Sequence, residues 1–287
     1  MAGFNSYDAI INALTISGTG QEVLFSKTAP AAQVAGAFHT SWAYTGIPTA
    51  GGWAGAGGGA AATLVTCDSA TVGALSVVSP TTASGTNPYI VAAGAMPTAN
   101  VVGTLMLIDR LADTGPLTTA SGGTCTITMP GGGWARYTDG VGVMAFVESL
   151  TGVPTATAVV TLNYTNPAAT AGRISSGATV AAGAHRAFGS SGPYLALQGT
   201  DAGIKSIESL SLTTAAALNI AVVVCKPLLM LPCVSAYYYT ERDLVIQTPK
   251  LPKLQVAADK TACLQWIFFT GGTTTPTVVG SVSTVTG

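Results

Sequence analysis

The chain has 287 residues, enough for one large β domain or two ordinary domains. Charged residues make up only 8% of it and hydrophobic residues 48%, whereas an ordinary soluble domain is about 25% charged. The formal net charge of −1 excludes the strongly basic surface that nucleic-acid binding requires, so we expect no nucleic-acid partner.

The scarcity of charge bears on how the surface is covered. A folded monomer of 28.5 kDa exposes roughly 11,000 Å² by mass scaling. Only 11 Lys and Arg and 12 Asp and Glu are available to cover it. Uncharged residues must coat the rest, or it must be buried against other chains. Because copies with so little net charge repel each other weakly, the composition predicts a homo-oligomer.

A short helix is predicted near the start of the chain, within an N-terminal arm formed by residues 1–20. Asn5 or Ser6 is placed to cap the segment from Tyr7 to Leu14, and Asp8 in its first turn favours the helix dipole. This arm is expected to dock either on the chain's own β domain or on a neighbouring subunit. Its apolar stripe consists of Phe4, Tyr7, Ile10, Ile11 and Leu14.

The rest of the chain, residues 21–287, is predicted to be one all-β domain of the β-sandwich or jelly-roll type. Thr124–Met129 and Val160–Thr165 alternate apolar and polar residues, as half-buried strands do. Three other segments are apolar on both faces, which predicts strands covered on both sides, by a sandwich and by a partner. They are Leu105–Ile108, Ile220–Cys225 and Leu264–Phe269.

The Gly-rich segments predict irregular structure and turns. Residues 46–100, rich in Gly, Ala, Thr and Ser, are predicted to be a long irregular insertion that forms a surface feature or a clamp on a neighbour. The shorter runs Gly131–Gly133 and Gly271–Gly272 are predicted to be hairpin connections.

Residues that could carry chemistry are few, so we expect neither an enzyme nor a cofactor or metal site. The only histidines are His39 and His185, and no Asp-rich calcium loop is present. Asp109 and Asp113 flank Arg110, and we interpret Asp109-Arg110 as the end of a buried strand, where a local ion pair turns the chain. The five cysteines are widely spaced and predicted to be reduced core residues. No apolar run is long enough to cross a membrane, so no membrane partner is expected.

An aromatic cluster near the C-terminus is a candidate subunit interface. It consists of Tyr237, Tyr238, Tyr239 and Arg242, residue types that are enriched at the centres of interfaces. The alternative interpretation is a strand whose tyrosines alternate between core and solvent.

Four phrases of the sequence resemble structural proteins of tailed bacteriophages, of the head-decoration or cement type. They are Met1–Asp8, Phe25–Ala31, Gly103–Arg110 and Tyr239–Leu244. The resemblance implies a small β-rich protein, often a trimer, that binds the outside of a capsid and holds neighbouring capsomers together. It implies no catalytic residues. The long spine helix expected of a major capsid protein is missing, which favours an accessory protein.

The leading hypothesis is therefore a non-enzymatic, homo-oligomeric virion protein on the capsid surface. It would be synthesised in the host cytoplasm, because the N-terminus lacks the pattern of a secretory signal, and its partner would be the major capsid protein. One alternative is a fibre or spike head that binds host glycans through exposed aromatic residues such as Trp42, Trp53 and Trp134. Another is a polysaccharide hydrolase, which would need two carboxylates converging in a groove.

Overall fold

The computed structural model describes residues 4, 6–15, 19–77, 88–99, 103–117, 123–150, 158–213, 219–247 and 262–287. Helix α1 spans Tyr7–Thr15, and the one-turn helix α2 spans Leu244–Gln247. All other regular structure is β. The strands are β1 (Gly20–Thr28), β2 (Ala37–Thr40), β3 (Thr45–Ile47), β4 (Ala61–Thr63), β5 (Val65–Thr66), β6 (Leu75–Ser76), β7 (Pro88–Pro97), β8 (Gly103–Asp113), β9 (Thr124–Thr128), β10 (Met144–Ser149), β11 (Ala158–Thr165), β12 (Arg173–Ile174), β13 (Ala178–Val180), β14 (Arg186–Phe188), β15 (Ser206–Leu212), β16 (Ala221–Cys233), β17 (Thr240–Asp243), β18 (Cys263–Thr270) and β19 (Thr277–Thr286).

The predicted all-β class and the short N-terminal helix are both confirmed. The helix begins after Ser6, whose Oγ accepts a hydrogen bond of 3.1 Å from the backbone N–H of Ala9. Asp8 lies in its first turn, where a negative charge suits the helix dipole. The other capping candidate, Asn5, lies outside the described residues.

The strands form three sheets. The first, here called the β1 sheet, has the order β17-β7-β19-β1-β3, and the β11 sheet has the order β12-β11-β15-β9-β4 with β13 also on β11. The third has the order β5-β8-β16-β10-β14-β2-β18-β6. Because β8 pairs with both β16 and β18, six of its strands close on themselves into a barrel.

The barrel lies between the other two sheets, which explains its doubly apolar strands. In β18, Trp266 and Phe268 pack under the β1 sheet, while Ile267 points into the barrel. In β16, Val222 and Val224 pack under the β11 sheet, while Val223 and Cys225 point inward. Coverage on both faces is thus confirmed. The covering layers come from the same chain, however, so this burial is not evidence of a partner.

The Gly/Ala-rich region is less irregular than predicted. Residues 88–97 form β7, a central strand of the β1 sheet that pairs with β19 along its whole length. The pattern was hidden because Ala92–Ala95 are small and because the register shifts by one residue where β19 passes from Ser283 to Thr284. The part at 51–59 packs against the barrel of its own chain, through contacts given below.

The two predicted hairpins are also wrong, because both Gly-rich turns connect different sheets. Gly131–Gly133 follow β9 of the β11 sheet and lead toward β10 of the barrel. Gly271–Gly272 connect β18 of the barrel to β19 of the β1 sheet. Glycine marks a sharp turn in the sequence but carries no information about which strands pair beyond it.

Candidate functional site

The barrel encloses a polar cluster that brings together carboxylates and a guanidinium. Nη2 of Arg110 lies 2.9 Å from Asp113 Oδ2 and 2.9 Å from Glu148 Oε2, and all three side chains are fully buried. Arg110 lies on β8 and Glu148 on β10, two strands that are not neighbours, so the side chains meet across the barrel interior. Gln265 donates a hydrogen bond to Thr40 beside them.

Segment 51–59 closes this end of the barrel. Trp53 Nε1 donates to Glu148 Oε2 over 2.9 Å, and the N–H groups of Ala54 and Gly55 donate to Asp113. Burial alone raises the pKa of Asp113, but Arg110 and these two N–H groups more than offset it and lower the pKa below its ordinary value. The segment therefore clamps its own barrel, and the cluster is built to hold strands together.

The interpretation of Asp109 and Arg110 as a local pair is wrong. Successive residues of β8 point to opposite faces, so Arg110 lies inside the barrel while Asp109 lies outside and pairs with Arg136 at 2.7 Å. Asp113 reaches the same side as Arg110 because the register of β8 shifts by one residue next to Cys225. The strand does not end at Asp109 but continues to Asp113.

The outer face of the β1 sheet is a candidate for contact with another molecule. Its inner face packs on the barrel through residues such as Phe25 and Val282. On its outer face, Leu24 of β1 is 67% exposed and Ile47 of β3 is 65% exposed. Leu24 and Ile47 therefore give this face an exposed apolar area, which makes it a candidate contact surface.

A groove of about 470 Å³ runs across this outer face. Val279, Gly280 and Ser281 of β19 line it, as do Leu24 and Ile47 toward one edge of the sheet and Tyr239 toward the other. The ring of Tyr239 lies on Gly94 of β7, where a Cβ atom would collide with it. Glu22 is the only carboxylate among the described residues that line the groove.

The predicted apolar stripe of the N-terminal arm is divided between two environments. Ile10 is buried with Ala13 against Val91 and Val285, and Phe4 packs on Tyr89 with ring centroids 5.6 Å apart. The remaining three members face solvent: Tyr7 (61% exposed), Ile11 (52%) and Leu14. The helix thus docks on the β1 sheet of its own chain and also presents an apolar ridge.

The predicted aromatic cluster near the C-terminus lies at the β17 edge of the same sheet. Tyr237 is 73% exposed, Tyr238 is exposed, and Tyr239 covers Gly94 as described. Arg242 is partly buried and donates a hydrogen bond of 3.2 Å to the carbonyl of Met230. The structure therefore brings the N-terminal helix and the tyrosines to one sheet, which the sequence did not indicate. It also adds Leu24 and Ile47, which sequence reasoning missed.

The charges near this face are acidic. Five charged side chains among the described residues are exposed. Three of them belong to this sheet or its helix: Asp8 of α1, Glu22 of β1 and Glu241 of β17. Lys27, the basic residue of β1, is buried, and its Nζ donates to the carbonyls of Tyr44 and Thr49. The face thus carries exposed apolar side chains among serines and threonines, and its exposed charges are acidic.

The tryptophans do not support glycan binding in the way the sequence suggested. Trp42 is fully buried, and the centroid of its ring lies 4.4 Å from the guanidinium carbon of Arg110. Trp134 is also buried, and its Nε1 donates a hydrogen bond to the carbonyl of Ile204. Trp53 is partly buried and engages Glu148. These side chains complete the core, so their prediction as exposed glycan contacts is wrong.

Within the described ranges, no three His, Cys, Asp or Glu residues form a group that could hold a metal ion. Among the described residues, neither helix, α1 nor α2, is long and apolar enough to cross a membrane. A scan against models of protein families, a search of curated proteins and a search of solved structures each found no match to the chain.

Proposed function

We propose that this protein is a structural subunit of a virus particle that binds the outside of the capsid and stabilises it. In this proposal the major capsid protein is its partner and the subunits form homo-oligomers, with the trimer favoured by the resemblance to phage decoration proteins. No step of the function is chemical. The observation that carries the proposal is the exposed apolar area on the outer face of the β1 sheet, which includes Leu24 and Ile47.

The size of this face supports the proposal. The five strands are three to ten residues long and, with a rise of about 3.3 Å per residue and about 4.8 Å between strands, they span roughly 570 Å², somewhat less than the roughly 800 Å² that one partner contributes to a standard interface. Each 100 Å² of apolar surface removed from water contributes about 2.5 kcal/mol before the costs of association. The α1 ridge of Tyr7, Ile11 and Leu14 adds a second apolar area.

The distribution of charge also supports it. The total accessible surface of 11450 Å² is that of an ordinary monomer of this mass, yet at least seven of the 23 charged side chains are buried. They are Lys27, Asp68, Asp109, Arg110, Asp113, Arg136 and Glu148. The outside is even poorer in charge than the composition indicated, which favours association through uncharged surface.

Binding of the purified protein to capsids stripped of it tests the proposal. We expect saturable binding that changes little as salt is raised, because apolar burial is not screened by ions. We also expect sedimentation of the free protein as an oligomer at micromolar concentration. A protein that stays monomeric and leaves stripped capsids unbound would overturn the proposal.

A further inference from the structure

One backbone edge of β1 is open next to the groove. β1 pairs with β19 over all nine of its residues, but β3 covers its other side only at Ser26, Lys27 and Thr28. Within the described part of the chain, residues Gly20–Phe25 have no strand on that side. The chain leaves the sheet after Ile47, where Pro48 has no N–H to donate to a ladder.

An open edge of this kind has unused hydrogen-bonding capacity. In a strand, alternate residues direct their N–H and C=O groups to one side, so about three of the six residues from Gly20 to Phe25 point to the open side. The backbone bonds of this stretch in the described residues run to β19 alone. Edges like this pair with added strands unless they are protected.

The usual protections are missing from Gly20–Phe25. The segment contains no proline, its pairing with β19 has no bulge, and its only charge is Glu22. Its apolar side chains Val23, Leu24 and Phe25 follow one another directly. By contrast, the opposite edge of the sheet, β17, has four residues, of which Glu241, Arg242 and Asp243 are charged.

We infer that the open edge of β1 binds an extended strand of a different protein, antiparallel to β1 and in line with β3. Its outward side chains would lie opposite Leu24 and Glu22 and would be apolar and cationic respectively, since directly opposed residues interact most strongly. The groove beside the edge, lined by Leu24 and Ile47, would receive the apolar side chain. That the partner belongs to the capsid rests on the proposed function.

Charge argues against a second copy that uses the same edge. If the β1 edges of two copies paired antiparallel, directly opposed residues would lie on the same side of the joint sheet. A two-fold axis at position 22 would then place Glu22 of one copy opposite Glu22 of the other. An axis at position 23 would place each Glu22 opposite Leu24. Neither arrangement gives the carboxylate a cation, and the exposed charges nearest this face, Asp8 and Glu241, are acidic as well. A partner that carries Lys or Arg satisfies Glu22 directly.

Amide hydrogen exchange of the purified protein tests the edge itself. In the free protein we expect rapid exchange at the outward amides of Gly20–Phe25 and slow exchange at the amides bonded to β19. Slow exchange at all of them, persisting on dilution, would overturn the inference because the chain would already cover the edge. Protection that disappears on dilution together with a dimer would identify a second copy as the occupant and overturn the assignment to a different protein.

Binding to stripped capsids tests the partner. The double variant Glu22→Lys/Leu24→Lys changes two exposed side chains and should keep the unfolding temperature of the parent. It should bind at least about tenfold more weakly, because the two introduced lysines would face a cationic and an apolar side chain of the partner strand. The matched control Ile174→Lys changes an exposed apolar residue on β12 of the β11 sheet and should bind like the parent.

The outcomes separate this inference from the proposed function. If the parent binds capsids while Gly20–Phe25 stay unprotected, or if the double variant binds equally well, the inference fails and the proposed function stands. If the parent does not bind capsids, the proposed function fails. The capped peptide Thr-Val-Thr-Lys-Thr-Val, at millimolar concentration, then decides the inference: protection of Gly20–Phe25 by this peptide and not by its Lys→Glu analogue supports it, and any other result overturns it.

Discussion

Asp109 and Arg136 form an ion pair inside the protein, with Asp109 Oδ1 2.7 Å from Arg136 Nη2. Nε of the same guanidinium donates to Oδ2 over 2.9 Å, and Nη2 also donates to the backbone carbonyls of Cys67 and Arg110. Arg136 lies between β9 and β10, so this contact fastens the connection between two sheets to the barrel strand β8.

Replacing Arg136 by Ala should destabilise the fold strongly. The substitution leaves the Asp109 carboxylate buried without its counter-ion, which typically costs about 3–5 kcal/mol in the free energy of unfolding. Urea denaturation followed by tryptophan fluorescence measures the change. Lys205→Ala, at an exposed charged position, serves as the control and should change stability by no more than about 0.5 kcal/mol. Equal losses in the two variants would contradict the role assigned to the pair.

Gly94 and Tyr239 should behave as a coupled pair. A methyl group at position 94 would occupy the place of the Tyr239 ring, whose hydroxyl lies 3.4 Å from Ser281 Oγ. Gly94→Ala should therefore displace the ring and cost about 1 kcal/mol, a value at the low end for overpacking because the ring can move toward solvent. In a Tyr239→Ala background the same substitution should cost nothing.

Measured unfolding free energies of the four members of this cycle test the coupling. The same cost of Gly94→Ala in both backgrounds would show that the backbone of β7, and not the tyrosine ring, requires glycine. Because Tyr239 lines the groove, the single variant Tyr239→Ala should also bind capsids more weakly than the parent if the proposed function holds.

The sequence predicted strands well where the pattern was local. Thr124–Met129 and Val160–Thr165 correspond to β9 and β11, with the apolar residues buried and the polar ones outward as expected. Closure of the barrel was not predictable in this way, because it depends on the pairing of β8 with β18, which joins residues as distant as Asp109 and Leu264. No periodicity within either strand encodes that pairing.

The candidate surface could be predicted only in part, for the same reason. The exposed Tyr7, Ile11 and Tyr237 were identified from residue type, whereas Leu24 and Ile47 belong to different strands and meet only in the β1 sheet. The available signal was the run Val23-Leu24-Phe25, three apolar residues in a segment whose one charge is Glu22. The tryptophans misled because residue type alone does not distinguish an exposed aromatic from one that packs on a buried guanidinium, as Trp42 does.

Stability should fall as the pH is lowered through the range in which His39 titrates. Burial lowers the pKa of His39 to about 4, although hydrogen bonding to Val34 opposes the shift. The charge of Arg186 also lowers the pKa of His39, whereas a hydrogen bond to the backbone of His185 raises it. Below the ordinary histidine pKa of about 6.5, the unfolded chain binds a proton at His39 that the folded chain does not bind. Stability is therefore lost as the pH falls from about 6.5 to about 4.

The variant His39→Gln isolates this contribution. Its unfolding midpoint in urea should fall less than that of the parent between pH 7 and pH 4.5, even if it is less stable at pH 7. His185, whose pKa burial also lowers, remains in both proteins, so some pH dependence persists. Parallel curves for the two proteins would show that the pKa of His39 is the same in the folded and the unfolded chain.

The cysteines should be unreactive in the folded protein, because all five thiols are free and buried. Burial raises the pKa of Cys225 and of Cys263, and raises that of Cys233 to about 11, so few of these groups are thiolates near neutral pH. Ellman's reagent should label none of the five at once and all five in concentrated guanidinium chloride. Cys233 should react first, since it is 3% exposed while the other four are fully enclosed. Cys233→Ala should therefore remove the earliest phase of labelling, and rapid labelling of the folded variant would show that another thiol is reached by solvent.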